Sequence, residues 1–256
     1  MIRKLLLAGA IFFTPLSLFA QEQHFVSYGG TAGFQATVWA MKDLKTFDKY
    51  GLNGEVVLVG GSARQIQGVL GGSTEFAQVD ITAVVSANLK GADLVVIGGT
   101  LNRIPFSMVT QMPAGGAATR LTALSVKALD ATVLSPPETI KAEKLGLRIL
   151  LHLSELRTAF PMNVVIVRRA YLEKNRDAVK RFMKAHSDAV YQLKHNKKKG
   201  MEVLQKRLLQ KDRDIIEATY DYYGPKFEFP PRVSREGAAA TADELEKEGF
   251  FKALGK

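Results

Sequence analysis

The chain has 256 residues, no cysteine and a formal net charge of +10 at pH 7. The missing thiol excludes a disulfide framework, a cysteine nucleophile or metal ligand, and a lipid anchor on an N-terminal cysteine. The basic balance favours anionic ligands or surfaces and leaves the fold open.

Met1-Ile2-Arg3-Lys4 opens the chain. An apolar run from Leu5 to Phe13 follows, then Thr14-Pro15 and finally Phe19-Ala20-Gln21-Glu22. A basic start, an apolar core and a small residue at the cut form the order of an export signal. The apolar run is too short to cross a bilayer, which takes ~20 residues. The reading is a signal peptide over residues 1–20, cut after Ala20, and a soluble periplasmic chain from residue 21. Losing Arg3 and Lys4 lowers the charge but leaves it clearly positive.

From residue 24 to 99, strands alternate with helices. Residues 25–28 read as a strand, 29–33 as a glycine-rich loop, and 34–49 as a helix closed at Gly51. Residues 55–59 form a β-branched strand. Ser62 is placed as the N-cap of a short helix. Residues 76–79 are a third strand. Asp80 caps a helix over 81–89, closed by Gly91, and 94–97 are a fourth strand. This order predicts a parallel sheet with helices on both faces. Its junctions at 29–31, 61–63 and 80–82 fall on the edge where such sheets hold ligands. They serve equally well as ordinary turns and caps.

Residues 104–112, bracketed by Pro105 and Pro113, read as an extended crossing segment. A helix near 117–128 follows, then a strand at 131–134. Ser135-Pro136-Pro137-Glu138 opens the next helix, which Gly146 closes, and 147–151 are a strand. A second extended segment, 163–167, is expected to pair with the first crossing. The remainder is helical. Asn175 caps a helix that ends at Gly200 and buries His186. A helix over 201–209 follows. Asp212 starts a helix that ends at Gly224-Pro225, and Ser234 opens the last one. The run Lys194-His195-Asn196-Lys197-Lys198-Lys199 reads as a solvated helix end and not as a nucleic-acid patch.

His24, His152, His186 and His195 lie too far apart to share a ligand spacing. HExxH, GxSxG, P-loop and GxGxxG motifs are absent. No metal, cofactor or catalytic residue is assigned, and the reading is not an enzyme.

Several strings, taken in order, resemble one family. They are Gly60-Gly61-Ser62 with Val69-Leu70-Gly71-Gly72-Ser73-Thr74-Glu75-Phe76-Ala77; Leu129 to Glu138; Phe160 to Val167; Tyr171 to Phe182; Glu217 to Tyr223; and Pro231-Arg232-Val233-Ser234. The resemblance is to the nitrate/sulfonate/taurine and thiamine-pyrimidine group of ABC-importer binding proteins. It implies an α/β type II periplasmic binding fold, with two lobes of mixed sheet joined by two crossing strands at 104–112 and 162–168. Lobe one would take 21–106 with 169–256, and lobe two 107–168. The resemblance places ligand contacts at Gly30, Thr31, Gly61, Ser62, Asp80 and Thr82, and across the cleft at Ser135 and Glu138. Phe34 would pack on an apolar part of the ligand. The implied partners are a small anionic or heterocyclic solute and an ABC permease in the inner membrane, with the chain acting as a monomer. After Pro113 the chain lacks ~30 residues, the size of one βαβ step, so lobe two is expected to be incomplete. The chain also stops soon after Phe250-Phe251. Two alternatives stay open: a truncated interaction module without ligand binding, and a periplasmic enzyme on the same fold.

Overall fold

The computed structural model describes residues 22–110, 117–126 and 130–248. The signal segment, the apparent gap after Pro113 and the chain beyond residue 248 lie outside the described residues. Among the described residues, no helix is long and apolar enough to cross a membrane.

Two sheets organise the molecule. The larger contains β1 (Gln23–Tyr28), β2 (Asn53–Leu58), β3 (Phe76–Val79), β4 (Leu94–Leu101) and a late strand, β8 (Asn163–Arg168), in the order β2-β1-β3-β8-β4. The first three are parallel, as their βαβ connections require. β8 runs antiparallel to both β3 and β4 and separates them. The sheet is therefore mixed rather than wholly parallel. β8 pairs here rather than with the first crossing segment because it is apolar on both faces. Val164, Val165, Ile166 and Val167 are all fully buried, which only a central strand allows.

The smaller sheet has the order β6-β5-β7, all antiparallel: β5 (Ser107–Thr110) lies between β6 (Ala131–Leu134) and β7 (Ile149–His152). Helices α5 (Ala117–Ser125) and α6 (Glu138–Lys144) belong to this unit, and Gly146 follows α6 with φ +76°. The sheets are joined by two chain segments that run side by side. Phe160 N donates to Asn102 O at 3.0 Å, and Leu153 N donates to Phe106 O at 2.9 Å.

Helices cover the larger sheet. The expected single helix over 34–49 is broken into a 3-10 turn (Gly33–Gln35), α1 (Ala36–Asp43) and α2 (Thr46–Lys49). Lys45 between them takes a left-handed φ of 56°. The others are α3 (Ser62–Gly71), α4 (Ile81–Leu89), α7 (Arg169–Lys174), α8 (Arg176–His195), α9 (Lys197–Leu208), α10 (Arg213–Tyr223) and α11 (Arg235–Lys247). The main core joins α1 and α8 to the sheet through stacked Phe76 and Phe182 rings, 3.7 Å apart, with Trp39, Phe47 and Met41 fully buried nearby.

Three helix boundaries differ from expectation. Asn175 stands at the start of α8 but does not cap it, because its amide donates back to Tyr171 O at 3.3 Å. α8 ends at Asn196, whose side chain caps α9 by accepting from Lys199 N at 3.1 Å. The lysine run therefore opens a helix, where its charge opposes the dipole. Lys197 offsets this by pairing with Glu217 and Asp221 of α10, each at 2.8 Å. Gly200 lies inside α9, where a Cβ would come within 2.2 Å of the Tyr220 ring. It permits close packing and does not end the helix. Asp212 and Ser234 cap α10 and α11 as expected. His186 is fully buried, as its place on the apolar stripe requires.

Candidate functional site

The C-terminal ends of β1, β2 and β3 and the start of β8 meet on one edge of the larger sheet. A cavity of about 150 Å³ lies there, lined by Gly29, Gly30, Phe34, Gln35, Gly61, Ser62, Gln65, Gln78, Val79, Asp80, Met162 and Asn163. Of the expected site residues, Gly30, Phe34, Gly61, Ser62 and Asp80 come together here. Asp80 is the only charged side chain in the lining.

Two helix N-termini at this edge are finished differently. At α4, Asp80 Oδ1 accepts from Ala83 N at 3.0 Å and Ile81 N donates to Pro161 O at 3.1 Å, so its first amides are largely satisfied by the protein. At α3, the N-cap is Gly61 rather than Ser62, and no side chain caps the helix. Gly61 has φ +80°, a conformation that glycine adopts without strain. Ser62 is the first helical residue, and its hydroxyl donates to Asp80 Oδ2 at 2.6 Å. Diverting that hydroxyl leaves the first amides of α3 without a side-chain acceptor beside the cavity. Such amides, at the positive end of the helix dipole, attract an anion or a carbonyl-type acceptor.

Sequence reading missed four amide side chains in this lining. Gln78 Nε2 donates to Gln35 Oε1 at 2.6 Å, and Thr37 Oγ1 donates to Gln78 Oε1 at 2.8 Å. Asn163 Nδ2 donates to Phe34 O at 2.5 Å, which fixes the backbone under the Phe34 ring. Gln65 is 1% exposed and its Oε1 has no protein partner. A buried acceptor without a partner carries a cost of ~1–3 kcal/mol that a donating ligand would relieve. The available signal was polar residues inside apolar strands, as with Gln78 in Phe76-Ala77-Gln78-Val79. Such residues are buried only when hydrogen-bonded.

The other expected residues lie elsewhere. Thr31 is exposed. Thr82 is half-buried and lines a separate groove with Phe160, Gly237 and Leu245. Ser135 and Glu138 are buried in the smaller unit, away from the cavity lining, where residues 135–138 dock against the larger unit. Gly33 N donates to Pro136 O at 3.4 Å, and so does the Tyr223 hydroxyl at 3.2 Å. Full burial raises the Tyr223 phenol well above its ordinary pKa, so it acts as a neutral donor in this seam. A Cβ at Gly33 would sit 2.4 Å from the Tyr223 ring, so the close approach depends on glycine. Glu138 Oε1 meets Lys141 Nζ at 3.3 Å, and its Oε2 has no protein partner.

No protein-family model matches the chain, and no curated protein matches it. Solved structures do match its fold. The periplasmic aliphatic sulphonate-binding protein SsuA of Escherichia coli superposes with a TM-score of 0.72 at 16% identity, over 90% of this chain and 88% of that one. A ligand-binding component of an ABC-type import system from Staphylococcus aureus gives 0.72 at 12% identity, over 90% and 93% of the two chains. The periplasmic nitrate-binding protein NrtA of Synechocystis gives 0.68 at 13% identity, over 91% and 84%. The chain has the type II periplasmic binding protein fold.

Proposed function

We propose that this chain is an extracytoplasmic solute-binding protein that hands a small solute to an ABC importer. The observation that carries the reading is the cavity on the larger sheet's C-terminal edge. There the uncapped N-terminus of α3 adjoins one small volume, which Gln65, whose buried Oε1 has no protein partner, also lines. Ligands at this edge are the general pattern for α/β sheets. The α3 amides supply donors for an anionic or carbonyl oxygen, and Gln65 accepts from an N–H or O–H of the same ligand. Phe34 and Met162 offer apolar contact. A sulfonate, nitrate, taurine or pyrimidine-type solute falls within this range.

The smaller unit acts as the closing lobe and the paired connecting segments act as the hinge. A ligand touching both units shifts the open–closed balance by its different affinity for the two states. In this reading Ser135 and Glu138, which sit in the seam and not in the cavity lining, reach the solute when the two units rearrange on binding. The permease in the inner membrane receives the closed form, and the binding protein works as a monomer in the periplasm.

Isothermal titration against sulfonates, nitrate, taurine and pyrimidines tests the role, and mass spectrometry of co-purified small molecules extends it beyond that panel. Saturable binding of one ligand per chain is the expected result. A folded sample that binds nothing in the panel and carries no co-purified solute would refute the role.

A further inference from the structure

Helix α8 presents a second surface, unconnected with the cavity. Arg176, Lys180 and Lys184 follow one another at four-residue spacing along its exposed side, so they stand in one row about 12 Å long. Two of the acids near them are engaged in ion pairs with other cations. Asp177 pairs with Arg181 at 2.8 Å and Asp188 with Lys49 at 2.5 Å, while Glu22, which shares a hollow with Arg176, and Glu173 and Glu228 are exposed. Among the described residues, none of the three cations has an acidic partner. Beside the row runs a groove of about 460 Å³ floored by Leu172, Val179, Met183 and Pro231. Lys184 and Ser187 also line the next hollow, which continues the face to Tyr191 and Phe229. Tyr191 is 49% exposed and Phe229 40%, with ring centroids 5.1 Å apart.

We propose that this face of α8 docks on an anionic lipid bilayer surface. Three features favour a bilayer. The cations form a row with no acid in ion-pair contact, which suits a sheet of charge better than a single carboxylate. Their aliphatic stems border an apolar floor, the arrangement in which basic side chains lie along an apolar surface with charged heads in the headgroup region. The exposed aromatic pair sits at the other end of the same strip, and amphipathic rings partition into the membrane interface. Three cations and one aromatic pair give weak, reversible attachment to the membrane.

Vesicle flotation of the chain from residue 21 onward tests this, with phosphatidylglycerol-containing vesicles set against pure phosphatidylcholine. The protein binds the anionic vesicles alone, and salt weakens the binding. Each cation near such a surface contributes roughly fivefold. Reversing all three, by Arg176→Glu with Lys180→Glu and Lys184→Glu, therefore lowers binding by about a hundredfold or more. A control with the same change of net charge, Lys211→Glu with Arg213→Glu and Arg235→Glu, changes it far less. Phe229→Trp supplies a milder reporter, whose emission shifts to the blue on anionic vesicles. The proposal fails if the unaltered protein ignores anionic vesicles, if both triple variants lose binding equally, or if the Phe229→Trp emission stays fixed on bound vesicles.

Discussion

The two sheets of this molecule are held by different amounts of core. The five-stranded sheet is buried on both faces. Phe76, Phe182, Phe47 and Trp39 fill one side, and Ile66, Val69, Val164 and Ile166 belong to a second cluster. The three-stranded sheet rests on a small cluster of Val109, Leu121, Leu124, Leu134 and Ala142. Its other face leaves Met108 and its cross-strand neighbour Leu151 substantially exposed. Short sheets with one thin core are marginal alone. The smaller unit therefore leans on its seam with the larger one, through Pro136, Gly33 and Tyr223 and through the Lys144–Asp212 pair. A well-packed platform carrying the cavity beside a lightly held unit suits the closure proposed above.

The largest effect that bears on this contrast is loss of a core ring. Phe182→Ala is expected to destabilise the protein by about 4 kcal/mol, read by urea denaturation. Leu134→Ala, in the smaller unit, is expected to cost about 3 kcal/mol. Its loss should appear in hydrogen exchange as faster opening of β5, β6 and β7, with β1 and β3 still protected. Equal loosening of both sheets by Leu134→Ala would break the contrast.

Acid comes next. Burial lowers the His186 imidazole from 6.5 to about 4, and neither ring nitrogen has a protein partner. The folded state holds this histidine neutral. Its contribution is therefore complete above the unfolded pKa of 6.5 and is lost as pH falls towards 4. The loss amounts to about 3 kcal/mol. His186→Leu should flatten that part of the stability–pH curve, measured by urea unfolding across the interval, and the loosening should begin in the platform around α8.

Smaller effects probe the edge and the seam. Asp80→Ala removes the α4 cap and the acceptor for Ser62, and is expected to cost about 1 kcal/mol, seen as a lower urea midpoint. Tyr223→Phe removes one donor to Pro136 O, and is expected to cost about 1 kcal/mol. Its signature is quicker proteolysis of the smaller unit with little change at β1.

Much of this architecture was legible in the sequence where a local rule operates alone. Phe76–Val79 and Ala131–Leu134 are short apolar strands between clear turn residues, and they appear as read. Asp80, Asp212 and Ser234 cap because each keeps an oxygen for the helix amides, even though the second oxygens of Asp80 and Asp212 bond Ser62 and Lys144. Three of the misreadings share one cause, a distant partner, whereas Asn175 is drawn off by its neighbour Tyr171. Ser62 has the chemistry of a cap, but Asp80, eighteen positions away, takes its hydroxyl. Gly200 resembles a terminator, but it is the floor under Tyr220. β8 finds its neighbours far upstream in the chain. The site was legible on its glycine and hydroxyl side, through the βα junctions. Its amide side was legible only at Gln78, inside an apolar strand, because Gln35 and Gln65 look like ordinary surface residues until the fold buries them.

The most direct test of the account is calorimetric titration of one bound solute into the unaltered protein, Gln65→Leu and Gly61→Ala. Saturable binding to the unaltered chain is the expected result. Roughly tenfold or greater weakening is expected from Gln65→Leu, which removes the cavity's free acceptor, and weakening from Gly61→Ala, which strains the turn presenting the α3 amides. Undiminished binding to both variants would place the ligand elsewhere and contradict the account.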